Sequence, residues 1–117
     1  MKMTHVIHKD LFESGRWLML SVIDQMANIG CDVDRAIRWK KSGDMQESNR
    51  ALHRALELLD FTKADPKNRD ARLREICRVR EALVDYFYGV NVYQTSNEFW
   101  QKYFYDFNYA AAMLRGK

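Results

Sequence analysis

The run Lys40-Lys41-Ser42-Gly43-Asp44-Met45-Gln46-Glu47 decides the fold, because it ends one helix and opens the next within a few residues. Cations favour the carbonyl-rich end of a helix, and glycine takes the left-handed cap there without a Cβ penalty. Asp44, with Glu47 three residues on, resembles a capping box in which Asp replaces Ser or Thr. So short a connection forces two antiparallel helices.

Upstream, from about Gly15 to Lys41, the residues Met19, Val22, Ile23, Met26, Ile29, Gly30, Val33 and Ile37 recur at 3- and 4-residue spacings, one continuous helical stripe. Downstream, Ala51, Leu52, Ala55, Leu56 and Leu59 continue the pattern in a second helix. Asp65-Pro66 reads as the N-cap and first position of a third, whose stripe of Leu73, Ile76, Cys77, Leu83 and Phe87 stops at Gly89. Val90 to Gln94 is a short irregular link. Thr95 and Glu98 form a capping box for a fourth helix, with Phe99, Trp100, Tyr103, Phe104, Phe107, Ala110, Ala111 and Leu114 on one side. The expectation is an all-α, four-helix, up-down-up-down antiparallel bundle forming a single domain over 1–117, with 1–13 as a poorly ordered N-terminal arm. No strand alternation persists, and the single hairpin lacks the second copy that a tetratricopeptide array requires.

Composition agrees with a folded domain: 47% hydrophobic and 30% charged residues, with one Pro and five Gly, supply a core and few breakers. The apolar run Trp17 to Ile23 is far shorter than the roughly 20 residues that span a bilayer, so no membrane partner is expected and the chain reads as soluble and cytoplasmic. Cys31 and Cys77 lack a metal-type spacing and read as small buried thiols. A net charge of +3 selects no partner class.

Several side chains fall off the core stripes. On a helical wheel Trp17 and Trp39 lie behind the first helix, and Tyr105, Tyr109 and Met113 form an i, i+4, i+8 line behind the fourth. Either these residues cover the ends of the bundle and tolerate water through their polar atoms, or they form an association surface; interfaces enrich aromatics and Met at their centres. A homo-oligomer is the commonest cover for such a face, and a different protein partner is the other.

Arg80 projects close to the centre of the third stripe, so it needs either a structural ion-pair partner or a functional role in a cleft. Lys67, Arg69, Arg72, Arg74, Arg78 and Arg80 crowd the first half of that helix, where its dipole favours anions. Acidic neighbours such as Glu57, Asp60 or Asp65 would neutralise them; RNA or DNA held by Arg69, Arg72, Arg74 and Arg78 is the alternative, although these residues split between two sides of the wheel.

The chain carries no phosphate loop, nucleophile elbow, Cys-His signature or Glu-x-x-His pair, so no catalytic residue, metal or cofactor is expected. His53 and Glu57 share a face turned from the core and read as a solvated pair. Helical ribonucleases of the HEPN type need an Arg followed four to six residues later by His, which neither Arg78 nor Arg80 provides.

At Ala27-Asn28-Ile29-Gly30-Cys31-Asp32-Val33, Arg54-Ala55-Leu56-Glu57-Leu58-Leu59-Asp60 and Arg78-Val79-Arg80-Glu81 the chain resembles a small group of bacterial helical-bundle proteins without assigned activity. More loosely, it is similar to the four-helix proteins encoded in ribosomal RNA intervening sequences and to the Avd accessory proteins of diversity-generating retroelements. That likeness implies ring assembly and a link to nucleic acid. The Asn-Ile-Ala-Glu-Gly motif of the first group is met only by Asn28-Ile29-Gly30, so no binding residue carries over.

Together these readings give a non-catalytic, self-associating interaction protein anchored by Trp17, Trp39, Tyr105, Tyr109 and Met113. A nucleic-acid-binding accessory protein stands second, and an enzyme using Arg80 with a neighbouring carboxylate third.

Overall fold

The computed structural model describes residues 9–116. Within them the chain forms α1 (Lys9–Ser14), a 3₁₀ turn (Trp17–Met19), α2 (Val22–Ser42), α3 (Met45–Ala64), α4 (Ala71–Tyr88) and α5 (Asn97–Arg115). The four long helices are an all-α bundle in up-down-up-down order. Of the expected N-terminal arm, residues 1–8 lie outside the described residues; the remainder enters α1, whose Leu11 packs against the core.

The hairpin forms as its residues dictate. Gly43 takes φ 89°, ψ 2° and its N–H donates to Lys40 and Trp39 carbonyls, a conformation costly for any residue with a Cβ. The next residue, Asp44, accepts with its side chain from the Glu47 N–H at 3.1 Å. Small residues then let α2 and α3 approach: Ala36, Ala51 and Ala55 are fully buried. Ser48 Oγ donates to the Ala36 carbonyl at 2.8 Å, and buried Asp32 on α2 is paired with Arg35 and, at 3.6 Å, with Arg54 of α3.

On its other flank α2 meets α5. A Cβ built on Gly30 would lie 2.6 Å from the Phe104 Cβ, so glycine here is what permits the contact. Asp24 and Arg115 pair at 3.3 Å beyond it, which fixes α2 and α5 as antiparallel.

Backbones pack closely between α2 and α3, α2 and α5, and α3 and α4. Between α4 and α5 the backbones stand further apart, and side chains span the gap. Tyr103 Oη donates to Glu75 at 2.7 Å, and Tyr86 Oη bonds Asn97.

Three element starts differ from the sequence expectation. The first long helix begins at Val22 rather than Gly15, because Ser21 caps it by accepting from the Asp24 N–H at 3.1 Å; Met19, expected on the stripe, is 84% exposed. The third begins at Ala71 rather than Pro66, because Asp65 does not cap a helix. Its buried carboxylate accepts from Gln25 Nε2 at 2.8 Å, from the Lys67 N–H at 3.1 Å and from Lys67 Nζ. The fourth is capped by Ser96, which accepts from the Phe99 N–H at 3.0 Å, one residue past Thr95; the Thr95 hydroxyl instead accepts from Trp100 Nε1 at 2.9 Å.

Candidate interaction surfaces

Trp17 is not on an outer face. It is 3% exposed, and its Nε1–H donates to Thr62 Oγ1 at 2.9 Å. Thr62 passes the interaction on by donating to the Leu58 carbonyl at 2.7 Å, as a buried indole and hydroxyl both require partners. Gln25 joins this network through the Trp17 carbonyl and Asp65, and Asn68 Nδ2 donates to Gln25 Oε1 and to the Thr62 carbonyl. The expected helix does not extend back to Trp17; the chain before Ser21 turns and tucks the indole against α3. Burial alone would raise the Asp65 carboxyl, but hydrogen bonds from Lys67 and Gln25 outweigh it and hold the pKa below the ordinary Asp value.

The other four expected anchors do face outward. Tyr105, Tyr109 and Met113 are 60%, 56% and 46% exposed along α5, and the two tyrosine rings stack with centroids 6.3 Å apart and planes at 29°. Trp39 is 39% exposed at the far end of the α2/α5 seam. A groove of about 390 Å³ follows the seam, with Arg35 and Arg38 on its α2 wall and Gln101, Tyr105 and Asn108 on its α5 wall. Cys31 lies in this groove. Both cysteines are exposed and free, contrary to the buried reading, because Gly30 and Ile76 take the inward positions and turn the next residue about 100° outward.

Arg80 finds its partner across the α3/α4 seam. Its Nε and Nη2 donate to the two oxygens of Asp60 at 2.7 and 3.2 Å. The arginine side chain is 33% exposed and the aspartate 47%, so this is a surface-edge pair rather than a buried functional arginine.

The four basic residues proposed for nucleic acid differ in their surroundings. Arg69 Nε donates to the Pro66 carbonyl at 2.8 Å and Arg78 pairs with Glu75 at 2.8 Å. Arg72 and Arg74 are exposed and have no carboxylate partner among the described residues. Of the acidic neighbours expected to neutralise them, Asp60 serves Arg80 and Asp65 serves Lys67.

One surface gave no sequence signal. The gap between α4 and α5 is an apolar cleft in two chambers, of about 250 Å³ toward the α4–α5 loop and about 340 Å³ toward the start of α4, each bordered by Glu75 and Tyr103. Burial raises the Tyr103 pKa, and the hydrogen bond to the Glu75 carboxylate raises it further, so the phenol stays protonated and the bridge persists at neutral pH. The loop that lends Tyr93, Gln94 and Thr95 to the first chamber also carries Val90 and Val92, 86% and 71% exposed. A helical wheel reports which face a residue occupies, not how far apart two helices stand.

No family model, curated protein or solved structure matches this chain. Among the described residues, no group of three or more His, Cys, Asp or Glu is placed to hold a metal ion, and no helix is long and apolar enough to cross a membrane.

Proposed function

We propose that this protein is a non-catalytic helical-bundle interaction protein that self-associates through the outer face of α2 and α5, anchored by Tyr105, Tyr109, Met113 and Trp39. The supporting observation is the stacked, exposed Tyr105–Tyr109 pair with Met113 one turn further along, on a helix whose opposite side already supplies Trp100, Phe104 and Ala111 to the core. A helix needs one apolar side to fold; a second aromatic line is accounted for by a partner. A second copy offers the same rings, and aromatic pairs gain about 0.5–1.5 kcal/mol beyond the area they bury.

The test is light scattering after size exclusion on the native chain and on a Tyr105→Ser, Tyr109→Ser variant. An oligomer that falls to a smaller, still helical species supports the reading, and an unchanged mass overturns it.

The exposed Arg72 and Arg74 favour a second reading, an accessory protein that binds RNA or DNA through Arg69, Arg72, Arg74 and Arg78. It requires binding that falls steeply between low and moderate salt and weakens when Arg72 and Arg74 become Ala.

A further inference from the structure

We propose that the cleft between α4 and α5 is a docking groove for an acidic amphipathic helix of another protein, two apolar residues of which, seven or eight positions apart, fill its two chambers.

The two-chamber form sets the spacing. The Tyr103–Glu75 hydrogen bond crosses the cleft in its middle, with Phe99 and Trp100 on one side and Phe107, Met26 and Ile76 on the other. Phe99 and Phe107 are eight residues apart on α5, about 12 Å at the helical rise, the distance between residues i and i+7 or i+8 of a docked helix.

The charge near the cleft sets the sign. Glu75, the carboxylate common to both chambers, is already met by Arg78 at 2.8 Å and by the Tyr103 hydroxyl at 2.7 Å. Arg72 lines the second chamber without a carboxylate partner among the described residues and the first turn of α4 has no acid, while Glu81 and Asp85, toward the first chamber, each accept a hydrogen bond from Tyr93. An anionic helix supplies what this end lacks, whereas the outer face of α5, with the Lys102–Asp106 pair, does not.

The mouth is preformed. Asn91 and Gln94 hold φ values of 60° and 54°, a region that non-glycine residues occupy at a cost. The Asn91 side chain bonds the Thr95 backbone at both N–H and carbonyl, and the Tyr93 N–H and hydroxyl donate to Asp85 and Glu81, each at 3.1 Å. These bonds fix the loop that carries the exposed Val90 and Val92.

The experiment is fluorescence anisotropy of the full chain with three labelled synthetic helical peptides: leucines seven apart among glutamates, the same leucines among lysines, and leucines three apart among glutamates. The first peptide is expected to bind at least about tenfold more tightly than the other two. Arg72→Glu and Phe99→Asp, both at exposed positions, should each weaken it by about tenfold with helical melting unchanged, while Tyr105→Ser with Tyr109→Ser leaves it intact. Equal binding of the lysine peptide, indifference to leucine spacing, displacement by short RNA, loss in the tyrosine variant, or absence of binding would each overturn the proposal.

Discussion

The two flanks of α2 and the α4/α5 side of the bundle are built from different residues. Where α2 meets α3 and α5, small side chains such as Gly30, Ala36, Ala51 and Ala55 bring the backbones together. Between α4 and α5 the seam is made by Tyr86, Trp100, Tyr103 and Phe107, and rings of that size hold the backbones apart. Small residues close a seam, while a row of aromatics props one open and leaves chambers between the rings.

The closed side is most sensitive to added volume. Gly30→Leu should destabilise by roughly 3 kcal/mol, since the first added carbon already meets Phe104, and should lower Tm on the order of 10 °C in a circular-dichroism melt. A Tm within a degree or two of the native value would mean that α5 does not sit on Gly30. Next comes the polar network at the base of the bundle. Thr62→Val keeps the shape but leaves the buried Trp17 indole N–H without its acceptor, and should cost about 2 kcal/mol in denaturant unfolding.

The same network carries a pH dependence. Because folding depresses the Asp65 carboxyl, its contribution is fully present above the ordinary Asp pKa and is lost as pH falls through the lower folded value. Asp65→Asn should therefore destabilise the protein more at pH 7 than at roughly pH 3. Equal cost at the two pH values would remove Asp65 from the list of ionised partners. The smallest effect belongs to the seam edge. Arg80→Ala should cost no more than about 0.5 kcal/mol, because the Arg80–Asp60 pair sits at the surface edge with both partners open to water; a loss several times larger would restore the buried arginine expected from the wheel.

What the sequence made legible was local. Gly43 and Asp44 are read from their own chemistry, and the inward position of Gly30 from a stripe of small and apolar residues. The misreadings involve side chains whose partners are far along the chain. Asp65 is an N-cap by local rules, yet Gln25, 40 positions earlier, recruits it. Trp17 looks displaced on a helical wheel only if a helix reaches it, and Thr62 draws it inward instead. Thr95 and Ser96 are both good caps, and the choice falls to Ser96 because Trp100 takes the Thr95 hydroxyl. The outward Tyr105, Tyr109, Met113 and Trp39 are legible from periodicity. The α4/α5 cleft was not, since its width depends on packed ring size across two helices.

The central functional claim is that the Tyr105, Tyr109 and Met113 line is covered by a second copy. Its most direct test is the solution mass of the native chain beside the Tyr105→Ser, Tyr109→Ser variant, by light scattering at matched concentration. A native oligomer that the variant reduces to a smaller folded species is the predicted result; a native monomer, or a mass that the substitutions leave unchanged, would contradict it.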